Sequence, residues 1–349
     1  MPSPTVAVAI LNWNGLSLLQ TYLADVVAHS QPHAVYVIDN DSSDGSVAYL
    51  QAHFPDVKCI QTGANLGYAG GYNAGMKHLE EDIVVLLNSD VRTTPGWLEP
   101  VVAHLEARPK CGALQPKIRW DRQPERFEYA GAAGGFMDTL GYPFCRGRLV
   151  DELEVDRGQY DASTQVFWAT GACMVVRREA YNRVGGLDNM LFAHMEEIDL
   201  CWRMQRAGYE IWAVPASTVF HLGGATLDAS NPKKTFLNFR NNLHILVKNL
   251  PQHQAFVVVM ARLVLDGLAG IKFLIDGKPR HTWAIVRAHF AFYARFGRIQ
   301  RQRVHLARKH GLPFLGWRAL HGVYHGSMAW AFFAKGKRTF AELTERMRP

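Results

Sequence analysis

The chain has 349 residues, 48% of them hydrophobic and 20% charged, the composition of an ordinary globular protein with room for one large domain and an appendage. Cys59, Cys111, Cys145, Cys173 and Cys201 lie far apart with no C-x-x-C pair, which argues against a disulfide framework and a thiolate zinc site and fits a reducing cytoplasm. The net charge of +7 conceals a division: from Lys233 onward there are 21 Lys and Arg against four acids, whereas residues 1–232 hold 17 bases and 27 acids. That asymmetry points to an anionic surface met by the C-terminal part, with a solvated basic face as the plainer alternative. The N-terminal MPSPTVAVAI carries no basic n-region or small-residue cleavage site, so no signal peptide is expected.

In chain order, "VAVAILNWNG" reads as a buried strand ending in a polar loop, "SLLQTYLADVVAHS" as a helix, and "AVYVIDNDSSDGS" as a second strand ending in acids and a glycine. "GSVAYLQAHF" follows as a helix, "VKCIQTG" as a short strand, "YAGGYNAGMKHLEE" as a helix start and "DIVVLLNSDV" as a further strand. This β-α-β-α rhythm predicts a Rossmann-like α/β fold, its sheet mostly parallel with helices on both faces. Ligands in such folds bind beyond the carboxyl ends of the strands. The polar clusters fall there: Asn12, Trp13 and Asn14 after the first strand, Asp39, Asn40 and Asp41 after the second, Asn88 and Asp90 after the later one. Taken singly, such residues cap helices and make turns, and Trp13 could pack beneath its loop. Gly67, Gly70, Gly71 and Gly75 do not fit the G-x-G-x-x-G fingerprint, which speaks against hydride transfer.

Near residue 231 the texture changes to long stretches without strand-like alternation, so the expected organisation is an α/β domain over 1–232 and a basic, mainly helical region over 233–349, hinged at "FRNNLHILVKNLP". In "HQAFVVVMARLVLDGLAGIKFLID", Arg262, Asp266, Lys272 and Asp276 fall within about 120° of one another at 100° per residue, leaving the rest apolar. Charge interrupts it too often for a membrane span of about 20 apolar residues. It reads as an amphipathic helix lying on a membrane or packed on a neighbour. "FYARFGRIQRQRVHLARKH" and "SMAWAFFAKGKRTF" mix aromatics with bases, as interfacial anchors do. No nucleic-acid recognition module is visible.

Together, "VAILNWNG", "VIDNDSSDGS", "NLGYAGGYNAG", "LLNSDV", "ATGACMVVRREA", "GGLDNMLFAHMEEIDLCWRMQRAGY" and "HLGGAT" resemble, in order and spacing, glycosyltransferase family 2, above all its bacterial rhamnosyltransferase-like and O-antigen-type members. The likeness covers roughly residues 4–250. It implies a GT-A fold with a C-terminal helical extension, a nucleotide-diphosphate-sugar donor, a divalent metal (Mn2+ or Mg2+) and inversion at the anomeric carbon. By this resemblance Asp90 matches the last acid of a metal-holding acid-x-acid element whose first acid is here Asn88, and His221 matches the histidine that completes the metal and diphosphate site. Asn12, Trp13 and Asn14 would line the base pocket, Asp39 would bond the base or ribose, Asn65 and Gly67 would approach nucleoside and phosphates, and Gly171 would lie near donor and acceptor.

Family members typically read Glu-Asp where this chain reads Glu196-Glu197, and the second acid is the usual general base. Glu197 therefore inherits that role, with Glu196 as its rival because Glu reaches farther than Asp. Asp199 and Arg203, four residues apart, read as a structural pair on one helix face. Arg240-Asn241 matches a recurrent pair whose role the sequence does not supply. The expectation is an inverting enzyme of cell-surface polysaccharide synthesis, peripheral on the inner face of the plasma membrane. It would move a sugar from dTDP-rhamnose or a UDP-sugar to a hydroxyl of a glycan or lipid-linked acceptor. The alternatives are a soluble or protein acceptor, or a catalytically inactive sugar-nucleotide-binding subunit; oligomeric state is not legible.

Overall fold

In the computed structural model, which describes residues 3–223 and 231–346, the chain begins with β1 (Val6–Asn12), α1 (Leu16–His29), β2 (Ala34–Asp39), α2 (Ser46–His53), β3 (Lys58–Gln61), α3 (Gly67–Gly75) and β4 (Ile83–Asn88). β1 lies between β2 and β4 and parallel to both. Its alternate residues feed two cores, Ala7 and Ala9 on one side, Val6, Val8 and Ile10 on the other, which is why the strand is aliphatic throughout. A Cβ at Gly75 would stand 2.2 Å from Ile38 Cδ1, so the glycine lets α3 lie directly on β2.

The chain continues through β5 (Val91–Arg92), α4 (Leu98–Ala107), β6 (Cys111–Trp120), β7 (Gln123–Phe127), β8 (Gly135–Asp138), β9 (Pro143–Cys145), β10 (Arg148–Leu149), β11 (Glu152–Leu153), β12 (Thr164–Gln165), β13 (Cys173–Arg177), α5 (Arg178–Arg183), α6 (Glu196–Arg206) and β14 (Glu210–His221). The main sheet runs β12-β14-β6-β13-β4-β1-β2-β3. It is mixed rather than mostly parallel, because β13 is antiparallel to both β4 and β6, and β12 to β14. The cause is the excursion after β6, which builds a small second sheet from β8 to β11 and brings the chain back to the main sheet at its carboxyl-end edge. The turn before β13 consequently sits beside the end of β4, where the Asn88 N–H donates to the Ala172 carbonyl at 2.9 Å.

Beyond lie α7 (Pro232–Asn249), α8 (Gln252–Ile275), α9 (Pro279–His310), β15 (Val323–Tyr324) and α10 (Met328–Phe333). The Asn231 side chain caps α7 and Gly311, in the left-handed conformation, ends α9. β15 adds a parallel strand to β8, and Trp317, Leu320, Val323 and Phe340 join the hydrophobic cluster that holds Ala7, Ile38, Leu86 and Trp202. The segment past the change in texture therefore shares a core with the first part. On α8 the polar arc does not face solvent uniformly: Arg262 and Asp266 pair at 3.0 Å and are buried, while Lys272 and Asp276 pair near the exposed end. No helix among the described residues is long and apolar enough to cross a membrane.

Candidate active site

The loops after β1 and β2 are locked to each other by side-chain amides and hydroxyls. Asp39 is buried, accepting from Asn12 Nδ2 at 3.1 Å and from the Ser42 N–H at 2.9 Å. Asn14, in the left-handed region with φ 50°, accepts from the Ser43 N–H at 2.8 Å through its side chain and donates its own N–H to Ser42 Oγ at 2.9 Å. Asn12 is fully buried and its Oδ1 has no hydrogen-bond partner, facing Gly15, where a Cβ would stand 2.5 Å from it. Trp13 is not packed under the loop; half of it is exposed at this edge.

Asn65 Oδ1 accepts from the Gly67 N–H at 2.9 Å and from Asn40 Nδ2 at 3.2 Å. Buried Asn40 also accepts from the Leu66 N–H at 3.1 Å, making it the hub of this corner, a role the sequence hid among ordinary turn formers. Gly67 has φ +71°, and a Cβ there would stand 2.5 Å from the Phe192 ring. Its missing side chain thus admits Phe192, on the loop leading to α6.

The pairing of β5 with β14 sets Val91 opposite His221 and brings Asp90 Oδ1 to 3.0 Å from His221 Nε2. A second carboxylate, Glu128 Oε1, stands 3.3 Å from His221 Nδ1 without hydrogen-bond geometry. Burial disfavours the imidazolium, yet the charges of Glu128 and Asp90 and the Asp90 hydrogen bond outweigh it and push the histidine up to about 10. Burial likewise disfavours the Asp90 carboxylate, but the bond and charge of His221 hold its carboxyl below the usual range. Glu128 follows β7 at no motif position, so no local signal in the sequence marks it. Gly224, Ala225 and Thr226 of the "HLGGAT" motif lie outside the described residues.

Helix α6 begins with Glu196 and Glu197, and Cys145 lies within electrostatic reach of both Glu197 and Glu128. Phe192, His194 and Met195, just before the helix, have φ of 65°, 66° and 72°. Such left-handed residues without glycine cost about 1–3 kcal/mol each and persist only where the surroundings hold them. The hold comes from α7: Asn241 Nδ2 donates to the carbonyls of Leu191, Ala193 and His194 at 3.0, 2.9 and 2.7 Å, and Arg240 donates to Leu191 at 3.1 Å. This clasp is what the Arg-Asn pair does.

Glu196 is buried and Glu197 half-buried, and each has an Oε2 with no hydrogen-bond partner. Burial raises both carboxyls, Glu197 to about 7; Glu196 goes well above its ordinary range because the Glu197 charge adds to burial. Tyr68, whose hydroxyl donates to the Gly171 carbonyl at 2.7 Å, lies within electrostatic reach of both acids. Asp199 turns to the other side of α6, meeting Arg203 at 2.8 Å, Lys248 at 2.7 Å and Asn249 at 2.8 Å. It is structural, as its spacing predicts. Among the described residues no hydrogen bond or ion pair joins Glu196 or Glu197 to the Asp90–His221 pair.

A carboxylate that ionises near neutrality and stays partly open can act as a general base. Asp90 offers a carboxylate, His221 would offer an imidazole nitrogen once a bound cation displaced its proton, and His221 Nδ1 is a buried nitrogen without a hydrogen bond. That donor chemistry fits a Mn2+- or Mg2+-type cation whose remaining ligands come from phosphate and water. Among the described residues no group of three His, Cys, Asp or Glu is arranged as a complete metal site.

The family model described as Glycosyl transferase family 2 matches residues 7–185. The chain is similar to the N-acetylglucosaminyl-diphospho-decaprenol L-rhamnosyltransferase of Mycobacterium tuberculosis, 32% identical over 222 residues, 58% of this chain and 71% of the relative. Rhamnosyltransferase WbbL of Escherichia coli is 22% identical over 223 residues, 62% of this chain and 83% of WbbL. Among solved structures, GalNAc-T7 with UDP, GalNAc and Mn2+ superposes with a TM-score of 0.56 at 15% identity, over 72% of this chain and 49% of that one. S. aureus TarS in complex with UDP-GlcNAc gives 0.52 at 14% identity, over 89% and 93%. The architecture is that of a GT-A fold with a C-terminal helical region.

Proposed function

Because the chain belongs to glycosyltransferase family 2, on its rhamnosyltransferase-like side, we propose that it is an inverting, metal-dependent enzyme that transfers a sugar from a nucleotide-diphosphate donor to a hydroxyl. The observation that carries this reading is the sheet edge itself. The Asp90–His221 pair stands at the end of β14, and Glu197, its carboxyl at about 7, heads α6, with Cys145 within electrostatic reach of both Glu197 and the Glu128 that flanks His221.

The nucleoside lies along the ends of β1 and β2, where Asp39, held by Asn12, offers its carboxylate and the exposed Trp13 a ring face for the base. Asn14, Asn65 and Gly67 shape the neighbouring loops. Asp90 and His221 would hold a divalent cation, which would neutralise charge on the diphosphate, with Asn88 among the residues that line the donor site. Glu197 takes the proton from the acceptor hydroxyl as that oxygen attacks the anomeric carbon. The bond to the diphosphate breaks with its electron pair leaving on phosphate, so one displacement inverts the centre. Glu197 is preferred to Glu196 because it is the more open of the two and the closer to ionising at neutral pH. Gly171, fixed by Tyr68, borders donor and acceptor.

The donor is dTDP-rhamnose or, next, a UDP-sugar, and the acceptor a glycan or lipid-linked saccharide of cell-surface polysaccharide synthesis. Support comes from relatives whose names are rhamnosyltransferases, one acting on a diphospho-decaprenol. The setting is the inner face of the plasma membrane, for which the basic C-terminal part is the support. Calorimetry of nucleotide diphosphates and nucleotide sugars with and without Mn2+ tests the donor site. Metal-dependent binding of a thymidine or uridine diphosphate, weakened at least about tenfold in Asp90→Ala, is expected. No binding of any of them would withdraw the reading.

A further inference from the structure

We infer that the hairpin of α8 and α9 is a docking surface for an anionic lipid bilayer, on which it lies in the plane of the interface. Helix α8 is amphipathic in an inverted sense. Arg262 lies buried against the Tyr142 ring, 3.9 Å from its centroid, and Asp266, also buried, accepts from Arg262 and faces His289 at 3.1 Å. The inward face of the helix thus combines this satisfied ion pair with the buried Ala255, Val258 and Val259. The arc opposite Arg262, about 120° wide at 100° per residue, carries Phe256, Val257, Val264, Leu268, Ile271 and Ile275 and no Lys, Arg, Asp or Glu. Their exposures run from 56% to 79%. Apolar side chains aligned over more than five turns in this way are not the scattered exposure normal for a soluble surface.

Helix α9 packs beside α8 and supplies the charge. Trp283 and Phe290, seven residues apart and 62% and 69% exposed, give α9 an exposed apolar stripe of its own. The helix holds eight Lys and Arg and no Asp or Glu. Arg298, Arg301 and Lys309 are exposed, and among the described residues none of them pairs with a carboxylate; they line an open cavity of about 960 Å³ whose other wall includes Gly185, Asp188 and Asn189. A hairpin that joins a wide apolar face on one helix to exposed, unpaired cations on the other is complementary to one occupant, a bilayer with anionic headgroups, into which such a face sinks roughly 5–10 Å. This deepens the reading of the protein as a peripheral enzyme, and rests on it only for the identity of the acceptor.

The test is co-sedimentation of the full chain with vesicles of phosphatidylcholine containing about 30% phosphatidylglycerol, beside vesicles of phosphatidylcholine alone. Wild type should pellet with the anionic vesicles and be released by salt. Leu268→Asp/Ile271→Asp and, separately, Arg298→Glu/Arg301→Glu should each bind at least about tenfold more weakly, with unchanged melting temperature and unchanged nucleotide binding. Failure of wild type to bind, or equal binding by both variants, overturns the inference. So does a dimer in light scattering that Leu268→Asp/Ile271→Asp dissociates without any vesicle binding, since the face would then meet a second copy. Vesicle binding in a protein that takes no nucleotide would sink the enzymatic reading alone.

Discussion

Glu197 sits at the first turn of a helix whose backbone N–H groups favour its charge, in surroundings whose burial opposes it; burial wins and holds the carboxyl near 7 instead of 4.5. The sign follows directly. An acid raised in the folded state binds its proton more tightly there than in the unfolded chain, so stability falls as pH rises from about 4.5 through 7. Turnover should move the other way, rising through the same window as the base ionises and levelling above it, as a pH profile of kcat would record. Asp90, in contrast, is held ionised by His221, and it should contribute no inflection in the neutral range. Asp90 was legible at the residue scale because an apolar run ends on it. Glu128 was not, because only the β6–β7 hairpin and the extended β14 bring positions 128 and 221 together.

At the scale of elements, the base helix depends on a neighbour far along the chain. Three left-handed residues before α6 aim its first turn, and the amide of Asn241 on α7 grips the carbonyls between them. Asn241→Ala should leave those buried carbonyls short of donors, at a cost of about 1–3 kcal/mol in stability. It should also lower kcat by roughly tenfold while donor affinity is preserved, because the base is displaced and the nucleotide corner is not. Kinetics with separate binding measurements check this; a variant that weakens donor binding alone would refute the clasp. Periodicity likewise placed Arg262 and Asp266 on one arc of α8, but an arc has no inherent direction. Only the partners, Tyr142 and His289, decide that it turns inward.

At the scale of the molecule, the β-α rhythm announced the sheet, and the strand-end clusters fall along its carboxyl-end edge. The antiparallel entry of β13 had no such signal, since strand direction depends on where the preceding excursion returns. Nor did the sequence reveal that its basic tail returns to the core: β15 extends the small sheet and Trp317 packs against Trp202, ring centroids 5.0 Å apart. A chain ended at residue 312 should therefore lose its cooperative melt rather than shed an appendage, and a native melting temperature in that truncation would contradict the shared core. The central claim, that this edge transfers a sugar with Glu197 as base, is met most directly by measuring turnover and donor binding side by side in Glu197→Gln. The account predicts a fall in kcat of about 10²–10⁴ with donor affinity intact. Turnover within a few-fold of wild type would contradict it.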